Sequence, residues 1–140
     1  MTGTGKCRVV IDTNLWISFL IGKRLVELAN ILSSGRVVLV MSTGLMNEIL
    51  EVANRPKFSQ YYAPNAVALL EKFLYRYSEF HELSTIPKRC RDPKDDFLLE
   101  LSIVSKADYL ISGDSDLTDL GTIDYTKILT FSEFKRVMGV

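Results

Sequence analysis

The chain of 140 residues balances 17 Lys and Arg against 17 Asp and Glu, is 47% hydrophobic and 24% charged, and so reads as one ordinary globular domain spanning 1–140. Its longest apolar stretches are broken by Asp12, Asn14 or Ser42, well short of the roughly 20 residues that span a bilayer, and there is no repeat, low-complexity tract or linker. Cys7 and Cys90 have no paired metal spacing, and the opening MTGTGKC has no signal-peptide apolar core, so free thiols and a cytoplasmic location are expected, while neutrality by itself says nothing about partners.

In chain order, RVVI (8–11) has the β-branched composition of a strand buried on both faces, and it is cut by the polar break Asp12-Thr13-Asn14 before another apolar stretch. RLVELANILSSG predicts a helix ending at Gly35, RVVLVM (36–41) a second strand, and STGLMNEILEVANR a helix capped by Ser42 or Thr43. RPKFSQYYAPN reads as a loop, NAVALLEKFLYRYSEF after Pro64 as a helix, and EFHELS (79–84) as a possible edge strand. RDPKDDFLLELSIVSK carries sharper signals: Asp92 suits the N-cap, Pro93 the first helical position and Asp95 the positive end of the dipole. DYLIS (108–112) and KILTF (127–131) predict two more strands, and a short helix from Ser132 to Met138 closes the chain. Strands separated by helices pair in parallel through right-handed crossovers, so the expected fold class is α/β, a three-layer α/β/α sandwich with a mainly parallel central sheet.

That fold gives the acidic residues a common address. Asp12 ends the first strand; Asp114 stands just past the third, with Asp116 two residues on. In a parallel sheet these ends share the edge where ligands collect. At 100° per residue, Glu48 borders the apolar arc of Leu45, Met46, Ile49, Leu50, Val52 and Ala53, whereas Glu51 points to the opposite, solvated side. In the DPKDDFLLEL segment apolar residues surround most of the circumference, so periodicity leaves both Asp95 and Asp96 open as site acids or as surface residues favoured by the helix dipole.

Four carboxylates at one edge repel one another unless a cation neutralises them. Oxygen donors without histidine or thiolate favour a hard ion such as Mg²⁺ or Mn²⁺. Such an ion polarises a phosphate oxygen and lowers the pKa of a bound water, so phosphodiester hydrolysis is the natural reaction class.

VVIDTNLWISFL, Glu48 within STGLMNEILEVANR, RDPKDDFLLELS and ADYLISGDSDL, in this order and spacing, resemble the PIN-domain nucleases, and most closely their bacterial group described as toxins of toxin–antitoxin systems. The resemblance implies a PIN-like domain that cleaves single-stranded RNA with Mg²⁺ or Mn²⁺, a cognate antitoxin partner and a homodimer. By the same resemblance Asp12, Glu48, Asp96 and Asp114 are the catalytic metal acids and Asp116 an additional one. Thr13, Asn14 and Ser112 match small polar residues that support the first carboxylate or the metal-bound waters, and Asp95 stands beside the third acid.

Arg55 and Lys57, near Tyr61 and Tyr62, offer the charge and stacking planes that single-stranded nucleic acid binds, and Arg89 and Arg91 add charge; a solvated charged loop is the plainer reading. Tyr75 and Tyr77 read as helix packing. His81, the sole histidine, reads as structural and leaves no imidazole pair for acid–base catalysis. Two other functions compete. GDSDLTD (113–119) resembles the late acid cluster of haloacid dehalogenase-type phosphatases, but Asn14 stands where their second early acid belongs. A receiver-like Mg²⁺-binding signalling module would leave Glu48 idle.

Overall fold

The computed structural model describes residues 6–82 and 93–140, with the side chains of 93–96 excepted. The expected α/β sandwich is what forms. Strands β1 (Cys7–Ile11), β2 (Val37–Met41), β3 (Ser78–Phe80), β4 (Tyr109–Ile111), β5 (Thr122–Ile123) and β6 (Thr126–Leu129) make one sheet in the order β3-β2-β1-β4-β6-β5. All pairings are parallel except the β5–β6 hairpin. Helices α1 (Thr13–Ile21) and α2 (Leu25–Ser33) join β1 to β2; α3 (Thr43–Ala53), α4 (Pro56–Ser59) and α5 (Ala66–Tyr77) join β2 to β3; α6 (Pro93–Ser105) returns to β4. The short α7 (Ser115–Thr118) follows β4, and α8 (Phe131–Met138) ends the fold.

Right-handed crossovers explain the layers. The chain steps outward from β1 to β3 and then back across the sheet to β4, so α1–α5 cover one face and α6 the other. α6 accordingly packs against β1, β2 and β4 together, and Leu98, Leu99, Leu101, Ser102 and Ser105 are all buried. A helix embraced this widely shows little periodicity, which is why its acids could not be ranked by pattern. Val9, Val10, Ile11, Leu39, Val40, Leu110 and Ile111 fill the middle of the sheet, and Trp16, Phe19, Leu70, Leu74 and Phe134 fill the helical side. Trp16 meets Phe19 and Phe73 edge-on. Among the described residues no helix is long and apolar enough to cross a membrane.

Several boundaries differ from the expectations. The apolar stretch after Asp12 is α1, starting directly at the strand end because Asp12 is itself its N-cap. The loop at 55–65 contains α4, whose start has Pro56 at a first-turn position. α5 stops at Tyr77 and β3 takes 78–80, so the edge strand begins and ends earlier than EFHELS suggested. Thr130 closes a reciprocal capping box with Glu133, starting α8 at Phe131. Gly35, with φ of +79°, follows α2 as predicted.

Candidate functional site

The strand order reverses between β2 and β4 around β1, so the carboxyl ends of β1 and β4 flank a topological switch point. Ile11 and Ile111 are in register there, and the residues that follow them, Asp12 and Ser112, touch. Ser112 Oγ donates to Asp12 Oδ2 at 2.9 Å and accepts the Asp114 backbone N–H at 3.0 Å. One buried hydroxyl thereby ties together two acids about 100 residues apart in sequence. Asp12 Oδ1 accepts the Asn14 N–H at 3.4 Å, and Asp114 Oδ1 accepts the Asp116 N–H at 2.9 Å, so each acid caps the helix that leaves its strand.

Glu48 comes from the facing side. It lies half-buried on α3 beside the buried Leu45 and Val52, as the helical arc predicts, while Glu51 is exposed and pairs with Arg55 at 3.1 Å. Thr13, buried at 6% exposure, donates from Oγ1 to Glu48 Oε2 at 2.5 Å. Thr13 thus ties the start of α1 to Glu48 on α3. α6 begins at the same edge of the sheet, because it descends from there to the start of β4. Its Phe97 ring lies so near Gly44, in the first turn of α3, that a Cβ at Gly44 would stand 3.0 Å from the ring. Asp95 and Asp96 occupy the first turn of this helix; their side chains lie outside the described ones. Gly44 had no motif to mark it, only the oddity of a glycine just inside a helix.

The electrostatics follow from burial. Asp12 is only 7% exposed. Desolvation pushes its carboxyl above the ordinary range; the Ser112 and Asn14 hydrogen bonds oppose this, and the charges of Asp114 and Glu48 add to it. Asp12 thus feels both other acids. Among the described residues no three His, Cys, Asp or Glu side chains are grouped tightly enough to form a finished metal cage.

The remaining candidates are more scattered. Asp116 is exposed in the first turn of α7, and Asn14 is exposed in that of α1. Arg55 and Lys57 are exposed around the start of α4, the first paired to Glu51 and the second with its ammonium 5.4 Å from the Phe58 ring centroid. Tyr61 is exposed, whereas Tyr62 is half-buried and its hydroxyl donates to the Ala53 carbonyl. Arg89 and Arg91 lie outside the described residues. His81 sits past edge strand β3, with Nε2 2.7 Å from a Glu79 carboxylate that also takes Arg8 Nε at 2.9 Å. Tyr77 packs on Phe73, but Tyr75 is exposed and stacks on Phe80.

A parallel sandwich that brings Asp12, Asp114 and Glu48 within electrostatic reach of one another at its switch point, with the Ser112 and Thr13 hydroxyls bonded to two of them, defines an α/β domain with carboxylates at the carboxyl edge of its sheet. Residues 8–116 match the family described as PIN domain, and the chain belongs to that family. Its fold is therefore of nuclease type, and PIN-domain nucleases generally use divalent metal ions. No curated protein matches the chain.

Proposed function

We propose that this protein is an Mg²⁺- or Mn²⁺-dependent endoribonuclease that hydrolyses phosphodiester bonds of single-stranded RNA, the toxin of a toxin–antitoxin pair. The observation that carries the reading is the Asp12–Ser112–Asp114 linkage at adjacent strand ends, with Asp12 destabilised as an anion first by its burial and then by the charges of Asp114 and Glu48. The donor set suits a hard dication: it is all oxygen, and its mutual repulsion is what a dication relieves. Asp12, Glu48 and Asp114 would hold the ion, joined by Asp96 and, at the rim, Asp116. When bound, a dication supplies polarisation of the phosphate and a water of lowered pKa.

The chain's own groups do the positioning. Ser112 fixes the rotamer of Asp12 through Oδ2 and the Asn14 amide holds Oδ1, so the first acid is oriented before substrate arrives. Asp114 is held through its own backbone and its cap to Asp116. The protein acts, on this reading, in the cytoplasm as a homodimer, restrained by an antitoxin, with Arg55, Lys57, Arg89 and Arg91 contacting the RNA backbone.

The test is incubation of purified protein with end-labelled single-stranded RNA in Mn²⁺, Mg²⁺ or EDTA, alongside Asp12→Asn and Asp114→Asn. Cleavage is expected with either ion, not with EDTA, and in neither variant. Undiminished cleavage by a folded variant overturns the site. Hydrolysis of a small phosphomonoester with RNA left intact would point to a phosphatase.

A further inference from the structure

We infer that Thr13 is a positioning residue for Glu48, locking the second acid's carboxylate to the start of α1 so that it faces Asp12; this rests on the metal-site reading above. Thr13 is the residue next to Asp12 and the first residue of α1. Its side chain has no capping duty, because Asp12 caps the helix. At this first position there is also no preceding helical turn whose carbonyl could take the hydroxyl, the usual resort of a helical threonine. The hydroxyl is spent instead on a contact spanning 35 residues, to Glu48 Oε2 at 2.5 Å.

The surroundings make that contact stiff. Thr13 is buried, α1 and α3 pack along each other, and a β-branched side chain has few rotamers to explore. A hydroxyl donating to a carboxylate is a charge-assisted bond, about twice as strong as a neutral one. Glu48 hangs on two methylenes, a chain with several staggered rotamers, and the Thr13 bond favours the one that reaches the start of α1. Two consecutive residues thus organise two acids: Asp12 supplies one, and Thr13 aims the other toward it. Outer residues that orient metal ligands are typically worth 10–100-fold in metal affinity.

The test is the affinity of the purified full chain for Mn²⁺ alone, read by titration calorimetry or by the EPR signal of free Mn²⁺. The proteins compared are wild type, Thr13→Val, Thr13→Ser, Glu48→Gln and the double variant Thr13→Val/Glu48→Gln. Thr13→Val is expected to bind at least about 10-fold more weakly, and Thr13→Ser, which keeps the hydroxyl, close to wild type. Thr13→Val is expected to add nothing once Glu48 is glutamine, the coupling of a pair that acts as a unit. Where Thr13→Val does not fold, Thr13→Ala takes its place in the same cycle. A Thr13→Val protein that melts earlier but binds Mn²⁺ like wild type overturns the inference, as does a serine variant as weak as the valine one or an undiminished effect in the Glu48→Gln background. Those results leave the metal site standing; a wild-type chain that binds no Mn²⁺ overturns both.

Discussion

Replacing Gly44 with alanine sets two effects of opposite sign against each other. Gly44 is the second residue of α3, four before Glu48, and glycine to alanine in a helix ordinarily gains up to about 1 kcal/mol. Here the new Cβ would stand 3.0 Å from Phe97 Cζ and 3.3 Å from Cε2. Carbon atoms settle at about 3.5–4.0 Å, so the half-buried ring has to give by a few tenths of an ångström. Overfilling a packed contact costs about 1–3 kcal/mol, so the propensity gain is cancelled and the variant ends between neutral and about 2 kcal/mol less stable. At about 4 °C per kcal/mol for a domain of this size, that is a Tm lower by up to about 8 °C. Phe97 follows Asp96, the residue proposed above as the third acid, in the first turns of α6, so a retreat passed on to the backbone also shifts that segment. Misplacement by 1 Å can cost about 100-fold in rate, and a loss of about 10-fold or more in Mn²⁺-dependent RNA cleavage is expected. Thermal melting by circular dichroism and a cleavage time course measure both. A Tm raised by about 4 °C with unchanged cleavage would refute the reasoning, because it would mean the α3–α6 contact yields freely and does not set the spacing of the acids.

Three further outcomes follow from the same geometry. Asp12 has a folded-state pKa above its ordinary 3.8, so in the window above 3.8 the native state binds more protons than the unfolded one and stability falls as pH rises through that window. Asp12→Asn removes that burden and is expected to raise the Tm of the metal-free protein at pH 7, with the advantage shrinking toward pH 3, while abolishing cleavage; a lower Tm at pH 7 in melts across this range counts against it. Ser112→Ala takes away the donor to Asp12 and the acceptor of the Asp114 N–H together, costing about 1–3 kcal/mol in a denaturant titration and at least about 10-fold in Mn²⁺ affinity by calorimetry. Glu51→Gln breaks only the exposed pair with Arg55, worth about 0.5 kcal/mol or less, and is expected to cleave RNA like wild type; a large loss would mean that the wrong glutamate of α3 has been assigned to the cleft.

The elements legible in the sequence are those whose burial is one-sided or complete over several residues. β1, β2 and β4 read as continuous apolar runs because helices cover both faces of the sheet, and α3 read as a helix with one apolar arc, which was enough to separate Glu48 from Glu51. α4, α7 and β5, of four, four and two residues, span about one period each, too little for a repeat to show, and left no trace. α1 was hidden for a different reason: its cap is also the last polar stop of β1, so one residue, Asp12, carries two boundaries and the apolar run on either side looks like one segment broken once. The Thr13–Glu48 contact has no sequence signature at all, since a hydroxyl finding a carboxylate 35 residues away depends on how α1 and α3 lie together.

Asp12 and Glu48 nevertheless stood out, because each disturbs a local apolar pattern, and Asp114 stood out by its place just past the end of a strand. An aspartate directly after a buried strand is desolvated and raised in pKa, and a glutamate at the border of an apolar arc is half-buried, both at a cost to the apo fold. Two such breaks within electrostatic reach of each other at one sheet edge are the pattern on which the proposed site rests. The same argument explains why Arg55 and Lys57 remain weaker candidates: exposed cations at a helix start break no rule, and their partners, Glu51 and the Phe58 ring, are ones any solvated surface supplies.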